Sequence, residues 1–509
     1  MPALVDFVGR QAELDRLGRL LDSPRAEIGV LYGRRRVGKT VLLERALAGR
    51  PALFFEALED RSKKEQIAHF LYELRLQTGS KGTSEEPPAD TWKEAFMRLF
   101  QAIEKNPMPV VLDEFQWLAN YRYEIVSDLK YVWDRHFSKL RGQKLLLCGS
   151  VASFMIEKVL KSKALYGRID VELQIEPFKL AETRQMLPGR GQDEILEAHM
   201  LTGGIPRYLE LLSEYPSIQL AMEELAFTRL GYFTREYERI FVSHFGKHPN
   251  FEAIVRALST HPMGLYREEL AREAEIAAGG QLTTQLRDLK AAGFIGSAVP
   301  FNKDERTARA KYFLNDAYLR FYFAFIEPNL RAMAGGSQVS LFGEISRSGA
   351  YYAWIGRAFE YLCSQHADVI AQILGFSGIR FSVGPYFARA QAGEEGVQID
   401  LLFDRPDRVL TVCELKYGEG PVGLEVIPEM KRKLRLLEPV AGRKTLQPVL
   451  IVRNRPSQAL IDSGYFHRII EARQIPMAWL AWLGKGRTRT LRRAESDQQV
   501  ADNIETPDP

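Results

Sequence analysis

Cysteine is scarce in this chain. The three that occur in 509 residues, Cys148, Cys363 and Cys413, sit in apolar surroundings with no paired spacing. That excludes a disulfide framework or a cysteine-rich zinc site as the organising device. Also missing are a run of about eighteen apolar residues, a basic-then-apolar leader and any internal repeat, so a cytoplasmic protein with no membrane partner is expected. Nor does charge of one sign dominate: 69 Lys and Arg against 65 Asp and Glu leave +4, a balance that permits nucleic acid without arguing for it. What remains, 46% hydrophobic and 26% charged residues, is the composition of a globular chain. Its length exceeds what one core holds, so about three domains are expected.

The stretch that organises the rest is Gly33-Arg-Arg-Arg-Val-Gly-Lys-Thr40, between the apolar run Ile28 to Tyr32 and the helical pattern Val41 to Leu47. Strand, glycine-bracketed loop, then helix is the arrangement that wraps backbone N–H groups around phosphates. Gly33 and Gly38 let the backbone approach phosphate oxygens, and the helix opening near Lys39 adds its positive end. Lys39 would reach the β and γ phosphates, and the Thr40 hydroxyl would sit on Mg²⁺. Residues Arg34, Arg35, Arg36, Val37 and Val41 complete the expected nucleotide-binding segment, the three arginines reading as solvated loop charges.

Ahead of the loop, Val8-Gly9-Arg10 opens an amphipathic helix, and Ala52 to Glu56 reads as a second buried strand. Pro109-Val-Val-Leu-Asp-Glu-Phe115 is an apolar strand delivering two carboxylates at its C-terminal end, where an α/β sheet presents groups to a ligand. Asp113 would hold Mg²⁺ and Glu114 would orient or deprotonate the attacking water. The strand Lys144 to Ser150 ends in a hydroxyl placed to sense the γ-phosphate. Arg168, in Leu165-Tyr-Gly-Arg168, could neutralise charge in phosphoryl transfer within the subunit or from a neighbour, which makes a homo-oligomer a candidate assembly; the plainer reading is a structural ion pair. A helical stretch from about Leu180 to Phe245 carries Thr202-Gly-Gly-Ile-Pro-Arg207, with Pro206 early in a helix and Arg207 on the face over the nucleotide.

Taken in order, Val8 to Arg10, Gly33 to Thr40, Asp113-Glu114, Gly149-Ser150, Leu165 to Arg168 and Gly203 to Arg207 resemble the archaeal-type predicted ATPases close to the STAND and initiator branches of AAA+. In AAA+ and STAND proteins the Val-Gly-Arg segment borders the adenine pocket. The resemblance implies ATP and Mg²⁺ as cofactors, and a nucleotide-binding α/β domain with a helical lid over residues 1 to 245. Adenine rests on it too, since no Asn-Lys-x-Asp guanine-reading motif occurs. STAND-like members often act as switches with slow turnover.

Beyond residue 250 the periodicity changes. Phe251 to Leu258, Tyr266 to Ala271 and Gln281 to Ala291 read as helices, with Phe294 to Pro300 and Ala310 to Leu314 as strands. That is a winged-helix pattern, with Arg287 and Lys290 on the groove-entering helix and Lys303, Arg306, Arg309 and Lys311 on the wing as candidate DNA contacts. Winged helices also serve as protein-packing modules. The aromatic run Tyr318 to Phe325 reads as core, and Arg331 to Gly349 as a linker.

In the last third, Gln398 to Phe403 and Leu410 to Lys416 read as neighbouring strands. Alternation places Glu414 and Lys416 on one face. Asp400 and Glu414 could then bind Mg²⁺ or Mn²⁺ while Lys416 positions the hydrolytic water, with Glu360 on an earlier helix as a further carboxylate. The order Glu, Asp, Glu-x-Lys resembles the PD-(D/E)XK nuclease fold, with Ile399 where Pro is usual. An exposed ion-pair ladder, or an inactive descendant of that fold, is the plainer alternative. Met430 to Arg435, including Lys431, is a basic helical face, and Arg487 to Arg493 a basic patch in a polar tail.

The expected fold class is therefore α/β: a P-loop NTPase domain (1–177), a helical lid (178–248), a winged helix (249–330), a linker (331–349), a PD-(D/E)XK-like α/β domain (350–484) and a disordered tail (485–509). The expected function is ATP binding with hydrolysis to ADP and phosphate, coupled to DNA binding and metal-dependent DNA cleavage. The alternative is a STAND-like switch with little turnover, whose nuclease-like domain binds a partner.

Overall fold

Runs of apolar residues too short for buried helices become strands covered on both faces. The computed structural model describes residues 7–79, 89–245, 248–299, 310–335, 340–388 and 395–478. Lys303, Arg306, Arg309, the 487–493 patch and the 485–509 tail lie outside the described residues.

The first sheet is parallel: β1 (Glu27–Tyr32), β2 (Leu53–Glu56), β3 (Val110–Asp113), β4 (Lys144–Gly149) and β5 (Ile169–Gln174), in the order β2-β3-β4-β1-β5. The three inner strands are almost wholly buried, while edge strand β5 alternates with exposed acids. Along β4, Leu145 and Leu147 enter one core and Leu146 and Cys148 the other, the two-residue period of a strand. Because β4 lies between β1 and β3, its C-terminal Ser150 falls between the phosphate loop and the Asp113-Glu114 pair.

Helices Leu180–Met186, Gln192–Thr202, Pro206–Ser213, Ile218–Ala226 and Tyr232–Phe245 follow. Next come helices Pro249–Ser259, Arg267–Glu273 and Gly280–Ala291 with a small antiparallel sheet of β6 (Leu265–Tyr266), β7 (Ile295–Ala298) and β8 (Lys311–Leu314) in the order β6-β8-β7. The helices and hairpin anticipated from periodicity all form, within a residue or two. The aromatic run is core: Tyr318, Phe321 and Phe325 are buried.

The described residues of 331–349 depart from the linker reading. Helix Leu341–Ile345 is docked, its Leu341 and Phe342 N–H groups donating to Glu223 at 2.9 and 3.0 Å, and buried Phe342 stacks on Phe227 at 5.7 Å. One anchoring aromatic outweighs the turn-like composition around it.

Helix Gly349–Gln365 then packs under a mixed sheet of β9 (Ser382–Ala388), β10 (Val397–Asp404), β11 (Val409–Lys416), β12 (Thr445–Val452) and β13 (Arg468–Glu471), ordered β13-β12-β11-β10-β9. The pairing of β10 with β9 slips between Ile399 and Leu402, a bulge beside Asp400. One hydrophobic core runs from Leu17 and Val111 through the lid and the small sheet to Leu401, Cys413 and Ile451, while the opposite face of each large sheet packs a core of its own, around Leu145 and Leu147 in the first and Ile399 and Leu450 in the last. Among the described residues no helix is long and apolar enough to cross a membrane.

Candidate functional site

Five loops meet at the C-terminal edge of the parallel sheet. After β1 the chain turns at Gly33, where a Cβ would lie 2.2 Å from the Ile175 carbonyl oxygen, so no other residue fits. Gly38, at φ 84°, ends the loop and caps the helix Lys39–Ala46. Buried Lys39 curls back, its Nζ donating to the Gly33 and Arg34 carbonyls at 3.0 and 3.1 Å. A phosphate entering the loop would compete with those two carbonyls for the ammonium group.

Thr40 Oγ1 donates to Asp113 Oδ2 at 2.6 Å, which joins the loop to the end of β3. Next to it Glu114 adopts φ 48°, ψ 46°, a left-handed conformation that costs about 1–2 kcal/mol in a non-glycine residue and turns its carboxylate away from the strand. Glu114 Oε2 accepts from Ser150 Oγ at 2.6 Å and from Gln116 Nε2 at 2.5 Å. Ser150, the candidate γ-phosphate sensor, gives its hydroxyl hydrogen to that carboxylate here. Gln116, buried and also donating to Ser150 Oγ at 3.0 Å, was missed in the sequence. Its signal was position alone, two residues past an acidic pair. Burial, then the Asp113 and Glu114 carboxylates, raise Glu56 at the end of β2. Such crowded negative charge is what a divalent cation relieves, and Thr40 with Asp113 offers the oxygen donors that Mg²⁺ takes.

Arg10 is buried and spans the site, its guanidinium donating to Val37 O at 3.0 Å and Glu176 O at 2.6 Å over the Phe178 ring. Gly9 adopts φ 66°, the left-handed region that favours glycine, and Val8 packs on the core. Val37 is buried, Val41 is exposed, and Arg35 lies over Trp117.

The loop arginines correct the expectation of solvated charges. Arg36, itself at φ 75°, pairs with buried Glu236 at 2.8 Å and lies over Tyr232. Arg34 pairs with buried Asp316 and lies over Phe294. Burial pushes Glu236 up, opposed by Arg36.

Arg168 makes a bidentate pair with Asp134 at 2.6 and 2.9 Å, the structural ion pair of the plainer reading, and no bond to the loop or to Glu114. Pro206 takes the first turn of its helix as expected, and Arg207 pairs with Glu210 on an exposed face.

The second set of carboxylates assembles differently. Glu414 and Lys416 share a face as expected, but Glu414 is held on both oxygens by ammonium groups, Lys416 at 2.8 Å and Lys433 at 2.6 Å. Lys433 belongs to the stretch read as a basic surface face; it is buried, and Arg432 pairs with Glu429, leaving Lys431 over Tyr465. Glu360 and Asp400 instead line a cavity of about 490 Å³ with Gln398, Arg357 and residues of the small sheet, among them Lys311 and Phe313. Burial and then Asp400 push Glu360 up to about 8, and burial raises Asp400. No group of three or more metal-ligating side chains forms among the described residues, so Glu360, Asp400 and Glu414 do not meet as one ligand set. A cation here has two carboxylates to bind, with the third neutralised by lysines.

The candidate groove-entering helix Gly280–Ala291 packs on Ala152–Phe154 of the first domain, with Arg287 4.0 Å from Glu157. Lys290 donates to Ser297 at 2.6 Å. That face is therefore partly engaged within the chain.

An uncharacterised protein of Methanocaldococcus jannaschii is 28% identical over 418 residues, 81% of this chain and 88% of the relative. An uncharacterised ATP-binding protein of the same organism is 47% identical over 47 residues, 9% of this chain and 80% of the relative. Among solved structures, a Walker-type ATPase of Pyrococcus abyssi aligns at 22% identity and TM-score 0.47 over 62% of this chain and 96% of that one. The ORC2 protein of Aeropyrum pernix aligns at 16% identity and TM-score 0.43 over 66% and 96%. At that distance neither likeness speaks to activity. Residues 7–212 match the family described as an ATPase domain predominantly from Archaea, which supports an ATP-binding, P-loop ATPase assignment for this part of the chain.

Proposed function

We propose that the chain binds and hydrolyses ATP at the Gly33–Thr40 loop, and that nucleotide state sets how the C-terminal half is held. The observation that carries the proposal is the hydrogen-bonded line Thr40, Asp113, Glu114, Ser150 and Gln116, drawn from three adjacent strand ends beside Lys39. Lys39 and the loop N–H groups bind the phosphates. Thr40 and Asp113 would hold Mg²⁺, which neutralises phosphate charge when bound. Glu114, fixed by Ser150 and Gln116, orients the attacking water and takes its proton. Equilibrium binding of a fluorescent ATP analogue with Mg²⁺ tests this: wild type should bind, and Lys39→Ala should bind about a hundredfold more weakly, the loss of charge-assisted bonds to phosphate. Equal binding by both proteins would refute the assignment.

The Arg34 and Arg36 pairs to residues far downstream favour a switch of the STAND kind, with slow turnover. One observation favours a second reading, ATP-controlled cleavage of DNA: Glu360 and Asp400 share a cavity walled by the winged-helix-like small sheet, and the Lys416 charge acts on Asp400. Plasmid and single-stranded DNA incubated with Mg²⁺ or Mn²⁺, with and without ATP, should be cut by wild type and not by Lys416→Ala. Intact DNA under all conditions rejects this reading and leaves the switch.

A further inference from the structure

The two outer arginines of the phosphate loop are claimed by carboxylates from two other parts of the chain. Glu236 comes from the lid helix Tyr232–Phe245, and Asp316 immediately precedes the helix Ala317–Phe321 after β8. Both side chains are 0% exposed. One oxygen of each is fixed by its own surroundings: Glu236 Oε1 accepts from Tyr208 Oη at 2.7 Å, and Asp316 Oδ1 accepts from the Leu319 N–H at 2.7 Å. The other oxygen faces an arginine. Each pair is made through a single guanidinium nitrogen, Arg36 Nη1 at 2.8 Å from Glu236 Oε2 and Arg34 Nη1 against Asp316 Oδ2, and Arg34 Nη2 is buried with no hydrogen-bond partner among the described residues, so the guanidiniums keep bonding capacity to spare.

Phosphate oxygens are strong guanidinium ligands, and these guanidiniums belong to the loop that would hold phosphates. Carboxylate and phosphate are therefore alternative partners for the same two cations. An arginine that turned to a phosphate would leave a buried carboxylate uncompensated, a costly state that gaining water relieves. Both carboxylates are shielded from solvent as the chain stands, and moving the lid helix and the segment after β8 off the loop would open them to water.

We propose that Glu236 and Asp316 are positioning residues that hold Arg36 and Arg34 in the nucleotide-free chain, and that a nucleoside triphosphate competes for these arginines and loosens the docking of both segments. The inference rests on the reading of the loop as a nucleotide site.

Glu236→Gln and Asp316→Asn in the full chain remove charge and little else. The amide oxygen of Gln still accepts from Tyr208, and Asn caps a helix as well as Asp does. Affinity for a non-hydrolysable ATP analogue with Mg²⁺ is measured alongside hydrogen exchange of residues 232–240 and 311–321, with and without the analogue. Each variant should bind about tenfold more tightly once its competitor for the arginine is gone, with kcat for ATP little changed. In wild type the analogue should speed exchange in both segments, and in the variants exchange should be fast already. A merely structural role would instead weaken binding together with stability. Unchanged affinity in both variants, or exchange slowed by the analogue, overturns the inference. If a variant does not fold, the wild-type exchange result decides alone. Absence of analogue binding by wild type would overturn the nucleotide reading itself, whereas binding that is lost in Lys39→Ala but unaltered in the amide variants would overturn only this inference.

Discussion

The chain gathers carboxylates beside a sheet twice, and the two sites are held in opposite ways. Around Asp113 and Glu114 the partners are neutral: a threonine, a serine and a glutamine that orient each carboxylate without cancelling its charge. Around Glu414 the partners are two lysines, and Glu360 and Asp400 are left crowded and raised toward the protonated form. Neutral partners keep negative charge available for a cation or for a water's proton; ammonium partners spend it internally. The same residue types thus mark a poised site in one sheet and a largely self-compensated one in the other.

The largest effect that would break this contrast on the C-terminal side is loss of Lys433. Lys433→Met leaves Glu414 buried with Lys416 alone and should lower stability by about 3 kcal/mol, read as a fall in Tm, and adding Glu414→Gln should recover much of it. An unchanged Tm would mean that Lys433 does not compensate Glu414.

Next is the pH response of Glu360. Folded, it ionises near 8; unfolded, near its ordinary 4.5. Between these values the folded chain keeps a proton that the unfolded chain has lost, so this group's contribution to stability declines as pH rises through the window. Glu360→Gln lacks that proton exchange. Its stability advantage over wild type, read as a Tm difference, should be near zero at pH 4 and grow toward pH 8. A constant difference between pH 5 and pH 9 would show that Glu360 is not crowded.

The smallest effect is at Arg168. As one half of a partly exposed pair with Asp134, Arg168→Ala should cost less than about 1 kcal/mol and leave phosphate release by dilute protein unchanged. A drop in turnover that appears only at high protein concentration would instead reveal an arginine acting across a subunit boundary.

Much of the nucleotide site was legible because it is local. The loop, its flanking strand and helix, and the Asp113-Glu114 strand end each lie within a few residues, and apolar runs specify buried parallel strands. What escaped is joined across the chain. Nothing near Arg34 or Arg36 tells that Asp316 and Glu236 will meet them, and nothing near Glu414 tells that Lys433, within a run of surface-like charges, turns inward. The 331–349 segment misled because its glycines and serines outnumber the single Phe342 that anchors it. The bulge beside Asp400 was illegible for a related reason: register belongs to a pair of strands, not to one.

The most direct test of the central claim compares wild type with Glu114→Gln, measuring ATP binding and phosphate release in the same samples. Wild type should bind ATP and release phosphate, and the variant should bind as tightly while release falls about 10²–10⁴-fold, the loss of a positioned base. Equal release by both proteins, or binding lost with Glu114, would contradict the assignment of Glu114 to water activation.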